Sequence, residues 1–195
     1  MITLASASTV RASLLKAAGV AFEVATSGVD ETGTKDRMLA EGAAPADIAG
    51  ALADAKALAV ARTRPGVVIG ADQTLEFEGA LHDKAADLAE ARERLRALRG
   101  RTHRLHAAVV TARDGRRLWG ETVTTTLTMR DFTDAFLDAY LARNAEAALW
   151  SVGCYELEGE GLQLFERIEG DYFAILGLPM LGLLAHLREE GLVFR

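Results

Sequence analysis

A short polar segment with the sequence SASTVR, residues 6–11, follows the apolar start of the chain and precedes a helical pattern. A turn before a helix N-terminus offers backbone N–H groups at the positive end of the helix dipole, which suits a phosphate. Ser6 and Ser8 add hydroxyl donors, and Arg11 adds a guanidinium fork for phosphate oxygens. The alternative is that Ser8 or Thr9 only caps the helix while Arg11 is solvated.

A second candidate is Asp72, which lies with Gly70, Ala71 and Gln73 near the middle of an otherwise apolar run. A carboxylate in such a run must be paired, hydrated or functional, because burying it alone would cost several kcal/mol. Asp72 could bind a divalent metal, orient a water molecule or accept its proton. It could equally be a structural carboxylate bonded to backbone amides.

Three further charged residues are ambiguous by themselves. Lys56 lies at the margin of the apolar face of a predicted helix, and Lys84 follows His82 and Asp83 in a predicted loop. Either lysine could pair with phosphate oxygens, although most lysines are simply solvated. Glu31, in an acidic segment, is either a metal ligand or a solvated charge.

Other common catalytic arrangements are missing from the sequence. The histidines show no metal-binding or triad spacing, and the single cysteine, Cys154, reads as a small packed residue in a strand. The sequence has neither a G-x-x-x-x-G-K-[ST] phosphate loop nor a G-x-G-x-x-G motif. A phosphate-transfer enzyme built from this chain must therefore use the Ser/Arg turn, lysines and a metal.

The elements that must position these residues alternate between strands and helices in the first half of the chain. The patterns predict strands over 2–5, 21–26 and 67–77, helices over 9–18 and 45–63, and a loop over 29–36. Later patterns predict a helix capped by Asp87, a type I′ hairpin at Asp114-Gly115, a helix ending near Asn144, a hairpin joining 152–158 to 162–168, and a terminal helix after Pro179. We therefore expect an α/β fold with a mixed β-sheet flanked by helices.

Composition sets broad limits on function. The chain has 195 residues, half of them apolar, which fits one domain with a proper core. Its formal net charge of −6 argues against a protein that binds nucleic acid, which would be expected to carry a basic face. The first residues lack the pattern of a secretory signal, and the most apolar stretch is interrupted by Pro179. We expect a cytoplasmic protein that neither crosses a membrane nor binds one.

Taken together, these segments resemble the Maf-like nucleoside triphosphate pyrophosphatases over nearly the entire chain. The matching motifs, in family order and spacing, are LASASTVRASLLKAAGV, VDET, LADAKA, VIGADQ, HDK, LRGRTH, VGCYELEG and ERIEGDYFAILGLP. The resemblance implies a single domain over residues 1–195, elongated, with two lobes around a deep cleft, and a homodimer as one option for assembly. It also implies hydrolysis of a triphosphate to a monophosphate and pyrophosphate with Mg²⁺ or Mn²⁺, as house-cleaning of non-canonical nucleotides.

The resemblance also assigns roles to individual residues. It implies that Asp72 accepts the proton in the hydrolytic step and that Lys84 assists catalysis at the triphosphate. The resemblance places Ser6, Ser8, Arg11 and Lys56 along the phosphates as well, and makes Glu31 and Asp72 the ligands of the divalent cation. Two departures from the family pattern are Thr9-Val10 in the first turn, where Pro-Arg is usual, and Ala85 after Lys84, where proline is usual.

Three positions bear on substrate preference within the family. A branch that acts on thymidine and uridine triphosphates carries Arg, Thr and Gln where this chain has Val10, Gln73 and Glu158, and a branch that acts on 7-methyl-GTP carries Trp, Gln and Glu. The chain agrees with the second branch at Gln73 and Glu158 and with neither at Val10. We therefore expect a guanine-type base. The alternatives are a pyrophosphatase that prefers dTTP or UTP, and a nucleotide-binding regulator of septum formation with little turnover.

Overall fold

The computed structural model of the chain describes residues 1–194. The strands are β1 (Ile2–Leu4), β2 (Glu23–Val24), β3 (Val67–Phe77), β4 (Ala80–His82), β5 (Thr102–Arg113), β6 (Arg116–Met129) and β7 (Phe165–Glu169). The helices are α1 (Thr9–Ala17), α2 (Glu31–Ala40), α3 (Pro45–Ala61), α4 (Leu88–Leu98), α5 (Asp134–Arg143), α6 (Ala145–Trp150), α7 (Tyr172–Ile175) and α8 (Met180–Glu189), with a 3₁₀ helix over Glu160–Leu164. The strands form one mixed sheet in the order β2-β1-β3-β5-β6-β7, with β4 paired to β3. The predicted α/β fold with a mixed sheet is confirmed.

The chain divides into two compact units. The first unit comprises Met1–Gln73, His106–Thr124 and Asp171–Arg195, and the second comprises Thr74–Leu105 and Thr125–Gly170. Helices α1, α2, α3, α7 and α8 belong to the first unit, and α4, α5 and α6 belong to the second. The predicted single domain over 1–195 stays a prediction.

The first unit is built on parallel strand pairing. β1 pairs in parallel with β3, with Thr3 opposite Val68, and its other edge pairs in parallel with β2. Because successive side chains of a strand point to opposite faces, β3 contributes to two apolar clusters. Ile69 packs with residues of β1, α1 and α8, whereas Val68 packs with the alanines of α3.

Helix α3 packs closely against β3. Ala49, Ala53 and Ala57 recur every four residues, so they line one helix face, and all three are fully buried. The facing strand position is Gly70, where an added Cβ would lie 2.6 Å from the amide nitrogen of Ala57 and would also overlap the carbonyl oxygen of Ala53. The small residues on both elements therefore permit the approach that brings Lys56, also on α3, to the strand.

The predicted loop over 29–36 is wrong, because α2 begins at Glu31. The Asp30 side chain caps this helix by accepting a hydrogen bond from the amide of Gly33 at 3.0 Å. Gly33 and Thr34 are poor helix formers, which made the segment read as a loop. The glycine serves the cap, since a Cβ at position 33 would overlap the Asp30 carboxylate.

Of the two predicted hairpins, one is confirmed and one is wrong. Asp114 and Gly115 have φ values of 51° and 72°, as a type I′ turn between β5 and β6 requires. The segments 152–158 and 162–168 do not pair with each other. Residues 152–158 form turns, the 3₁₀ helix follows, and β7 pairs instead with β6, where Leu127 faces Ile168.

Cys154 lies in these turns rather than in the predicted strand, with a left-handed φ of 61°. It is fully buried, and burial raises the pKa of its thiol to about 11. The thiol is therefore protonated at neutral pH and unreactive. The prediction that Cys154 is a small packed residue is confirmed.

His103, at the start of β5, is a buried titratable residue in the second unit. It is 1% exposed, and its Nε2 lies 2.7 Å from the hydroxyl oxygen of Tyr155. Burial lowers the pKa of His103 from 6.5 to about 4. Between these values the unfolded chain binds a proton that the folded chain does not, so stability is complete above pH 6.5 and decreases as the pH falls.

We therefore expect the stability advantage of the wild-type chain over a His103→Gln variant to shrink by roughly 3 kcal/mol between pH 7 and pH 4. Glutamine removes the titrating group and retains hydrogen-bonding capacity. The measurement is urea unfolding of both proteins across this pH range. Parallel stability curves for the two proteins would show that the pKa of His103 is the same in the folded and unfolded states.

Within residues 1–194, none of the helices is both long and apolar enough to cross a membrane.

Candidate active site

A buried ion pair joins α3 to β3 in the first unit. The Lys56 Nζ lies 2.6 Å from Oδ1 of Asp72, and the two residues are 7% and 6% exposed. The same ammonium lies 2.9 Å from Oε1 of Glu31, whose side chain is 45% exposed. One lysine therefore bonds two carboxylates, one buried and one at the surface. A buried carboxylate such as that of Asp72 needs a paired positive charge, which Lys56 supplies.

The local sequence explains how three separate elements supply these groups. Asp72 follows Gly70 by two residues on the same face of β3, the face that the alanines of α3 approach. Lys56 precedes Ala57 on that helix. Glu31 is the first residue of α2, and the Asp30 cap fixes where that helix begins. The sequence predicted functions for all three residues, and the structure brings them together.

Arg11 in α1 is held by the protein itself. Its Nε donates to the carbonyl oxygen of Gly177 at 2.8 Å, and its Nη1 donates to the carbonyl oxygen of Ala71 at 2.8 Å. Nη1 also donates to Oγ of Ser6 at 3.1 Å. These bonds use the N–H groups of Nε and Nη1, so Arg11 would have to donate to a phosphate through Nη2. The predicted phosphate role of Arg11 stays a prediction.

The two serines of the first turn are organised around the same arginine. Oγ of Ser8 accepts a hydrogen bond from the amide of Arg11 at 3.3 Å, so Ser8, one of the two predicted alternatives, caps α1. The solvated Arg11 of that alternative is wrong, because protein groups accept its hydrogen bonds. Oγ of Ser6 accepts from the amide of Ser8 at 3.3 Å. The capped N-terminus of α1 thus lies beside a fixed guanidinium group, and both are positively polarised.

The charges of this cluster compensate one another. Burial lowers the pKa of Arg11, and the nearby carboxylates of Asp72 and Glu31 raise it again in part. An arginine remains charged under these conditions. Arg11, Lys56, Glu31 and Asp72 therefore form a set with two positive and two negative groups in the first unit.

Gln73 and Val10 were predicted to influence substrate preference, and the structure restricts how Gln73 could do so. Nε2 of Gln73 donates to the carbonyl oxygens of Ala174 and Ile175, at 2.9 and 3.0 Å. Because both of its N–H donors are used, a base contact by Gln73 would have to use the acceptor Oε1. Val10 is half-buried in α1.

The second unit contains the two other predicted site residues. Lys84 is exposed, and its Nζ lies 5.7 Å from the ring centroid of Trp150. Glu158 is exposed in the turns that precede the 3₁₀ helix, not in a strand as its surrounding sequence suggested. The predicted roles of Lys84 and Glu158 stay predictions.

Glu31 and Asp72 were predicted to hold a divalent cation. Among residues 1–194, no group of three or more His, Cys, Asp or Glu side chains could hold a metal ion. A magnesium ion, however, is usually bound through one or two carboxylates together with substrate phosphates and water. Both carboxylates contact the same ammonium and each has a second oxygen, so the donor set fits a cation that arrives with a nucleotide.

The sequence did not reveal the polar support at the C-terminal end of α7. Gln73 donates to the carbonyl oxygens of Ala174 and Ile175, and Arg11 donates to that of Gly177. Gly177 has a φ of +92°, and an added Cβ would lie 3.4 Å from Nε of Arg11. The only signal in the sequence was the Gly177-Leu178-Pro179 group itself, which indicates a turn without naming its partners.

The chain is similar to known proteins over almost its whole length. The family model described as Maf-like protein matches residues 1–190. A nucleoside triphosphate pyrophosphatase of Caulobacter vibrioides is 60% identical over 190 residues, which cover 97% of this chain and 96% of that protein. A 7-methyl-GTP pyrophosphatase of Rhizobium meliloti is 50% identical over 194 residues, which cover 99% of this chain and 98% of that protein. A 7-methyl-GTP pyrophosphatase of Brucella abortus is 47% identical over 190 residues, covering 97% and 96%.

Proposed function

The chain belongs to the Maf-like protein family, and on that basis we propose that it hydrolyses a nucleoside triphosphate to the monophosphate and pyrophosphate. The observation that carries the proposal is the contact of Lys56 with both Asp72 and Glu31. This contact places a buried carboxylate, a cation and a second carboxylate close together. Relatives that match almost the whole chain are named for pyrophosphatase activity.

In the reaction that we propose, a water oxygen attacks the α-phosphorus and forms a new P–O bond. The bond between the α-phosphorus and the bridging oxygen breaks, and pyrophosphate leaves with that electron pair. Asp72 takes the proton from the water, as a general base. Oδ1 of Asp72 accepts from Lys56 at 2.6 Å, and Oδ2 has two lone pairs, so we assign one lone pair of Oδ2 to the proton and leave the other for the cation.

The cations of the first unit have separate tasks in this proposal. Lys56 fixes the orientation of the Asp72 carboxylate and neutralises its charge. The N-terminus of α1, with Ser6, Ser8 and Arg11, contributes positive potential for the phosphates. A divalent cation held by Glu31 and Asp72 would neutralise charge that develops on the leaving pyrophosphate. We also propose a phosphate contact for Lys84.

A guanine-type base agrees best with the polar groups assigned to base recognition. Glu158 only accepts hydrogen bonds, and Gln73 has only its acceptor Oε1 left. Guanine presents two adjacent donors, N1–H and the exocyclic amine, whereas uracil presents one donor between two carbonyl groups. Val10 offers no aromatic face that would favour a cationic methylated base.

We expect Glu158→Gln to reduce the preference for guanine-type over pyrimidine triphosphates about 5- to 150-fold, the scale of one bidentate base contact. An amide can donate to a pyrimidine carbonyl as well as accept, whereas a carboxylate repels it. The measurement is kcat/KM for GTP, 7-methyl-GTP, UTP and dTTP, with Glu156→Gln as an exposed control in the same turns. An equal decrease for all four substrates would show that Glu158 does not recognise the base.

The experiment that tests the proposed function is a pyrophosphate-release assay. A panel of canonical and modified triphosphates is incubated with the protein and Mg²⁺ or Mn²⁺. Release of one pyrophosphate per monophosphate formed supports the proposal, and a preference for UTP or dTTP would move the substrate to the pyrimidine class. Tight nucleotide binding without turnover would instead favour a regulatory protein.

We further propose that both units act as one domain in the cytoplasm.

A further inference from the structure

We infer that Arg94 is a positioning residue for catalysis, which fixes the loop that carries Lys84. This inference rests on the proposed function, specifically on the proposed contact of Lys84 with the triphosphate. Arg94 lies in α4, and all the groups that it binds belong to the second unit. We do not assign Arg94 a contact with the nucleotide itself.

Arg94 binds two separate loops at once. Its Nη1 donates to the carbonyl oxygen of Asp83, the residue directly before Lys84. The same nitrogen donates to the carbonyl oxygen of Val152 at 3.3 Å. The Arg94 side chain is only 11% exposed; its bond to Asp83 lies at the surface, and its bond to Val152 is partly buried. A buried guanidinium group held by several acceptors is more rigid than a solvated one.

Glu90 supports the same loop from its other side. Oε1 of Glu90 accepts a hydrogen bond from Nη2 of Arg94 at 2.8 Å, and its Oε2 accepts from the amide of Ala86 at 2.8 Å. Arg94 and Glu90, which we call the α4 clamp, therefore hold the backbone at residue 83 and at residue 86. Lys84 lies between these two fixed points, so its Cα position is set by α4.

The loop that contains Val152, the second loop that Arg94 binds, follows Trp150, which contacts Lys84. Val152 is two residues after Trp150, and the Lys84 ammonium lies 5.7 Å from the centroid of the Trp150 ring. Such a cation–π contact restricts a flexible lysine side chain. The α4 clamp thus holds the backbone on both sides of Lys84. It also holds the segment that follows Trp150, the aromatic neighbour of Lys84.

An arginine suits this task because its planar fork reaches three acceptors in different directions. A lysine at position 94 would retain the charge but could not keep the same geometry with all three. The rigidity has a functional consequence, since misplacing a catalytic group by about 1 Å can cost a factor of about 100 in rate. The clamp also compensates for Ala85, where the family usually has a loop-stiffening proline.

The test is a double-mutant cycle on kcat/KM for pyrophosphate release. Arg94→Met keeps much of the side-chain volume and removes the donors, and Lys84→Met removes the ammonium group. We expect each single variant to lose about 10- to 100-fold in kcat/KM. The change in kcat relative to the change in KM should be the same in Arg94→Met as in Lys84→Met. We expect the double variant to lose little more than either one, because Arg94 acts through Lys84.

Three further measurements isolate the positioning role. Arg96→Met, at an exposed arginine on the same helix that pairs with Glu93, should keep wild-type activity. Arg94→Lys should recover part of the activity that Arg94→Met loses. Hydrogen exchange at the Ala86 amide should become about 10-fold faster in Arg94→Met, while exchange in α3 remains unchanged. If Arg94→Met does not fold, Arg94→Lys takes its place in the cycle.

Independent losses that multiply in the double variant would overturn the inference, because Arg94 would then act on the fold and not through Lys84. Full activity of Arg94→Met beside an impaired Lys84→Met would overturn it as well. Full activity of Lys84→Met would remove its premise and overturn it too. The proposed function is tested separately, since wild-type turnover that depends on Asp72 would survive each of these outcomes.

Discussion

Replacement of Asp72 by asparagine should lower kcat/KM for the preferred triphosphate by about 10²- to 10⁴-fold, the contribution of general base catalysis. Loss of a cation ligand would add to this decrease. The amide oxygen can still accept a hydrogen bond from Lys56, and Glu31 still neutralises the ammonium at 2.9 Å. We therefore expect the variant to fold, with a free energy of unfolding lowered by only about 1–3 kcal/mol. Pyrophosphate release and circular dichroism of the same preparation measure both effects.

A matched control is available on the neighbouring helix. Asp54 of α3 pairs with Arg117 at 3.0 Å, outside the Lys56 cluster, and its conversion to asparagine should leave turnover unchanged. The comparison separates loss of a catalytic carboxylate from loss of any paired carboxylate in this unit. Near-normal turnover by a folded Asp72→Asn protein would falsify the general base assignment and leave Asp72 as a structural partner of Lys56.

Arg11→Met should lower the free energy of unfolding by about 2–5 kcal/mol and also weaken nucleotide binding. The substitution removes the donors for the carbonyl oxygens of Ala71 and Gly177, and each carbonyl left without a partner costs about 1–3 kcal/mol. Methionine retains the apolar stem, so the loss reflects hydrogen bonding more than packing. Denaturant unfolding measures the first effect and nucleotide titration of the folded protein measures the second.

Lys16→Met provides the control for this substitution, because Lys16 is an exposed cation in the last turn of the same helix. Its effect on both measurements should be small. If Arg11→Met instead weakens nucleotide binding with unchanged stability, the guanidinium group serves the phosphate and its bonds to Ala71 and Gly177 contribute little. If it destabilises the protein with unchanged affinity, Arg11 serves the fold alone.

The charge balance of the first-unit cluster bears on both results. Arg11 and Lys56 oppose Glu31 and Asp72, so the cluster offers little excess positive charge to a triphosphate by itself. The N-terminus of α1 adds only a partial charge. A divalent cation that arrives with the nucleotide would supply the missing charge and share the two carboxylates. We therefore regard the cation as part of the substrate complex in this proposal.

The elements that could be predicted correctly are those whose signals are local. The apolar run before SASTVR, the Ser8 cap, the proline at the start of α3 and the glycine turn at 114–115 each act within a few residues. These signals placed β1, α1, α3, β3 and the first hairpin correctly. Where local signals conflicted, as at Gly33 beside the Asp30 cap, the sequence reading failed and α2 was missed.

The contacts among the candidate site residues, and their other contacts, follow from the packing of distant elements and could not be predicted. Lys56 and Asp72 are 16 residues apart, and their contact depends on the close approach of α3 to Gly70. Arg11 and Gly177 are 166 residues apart, and Arg94 and Val152 are 58 apart. Such contacts have no signature in periodicity or capping, because they arise when helices pack against a sheet and bring distant carbonyl groups within reach of a buried side chain.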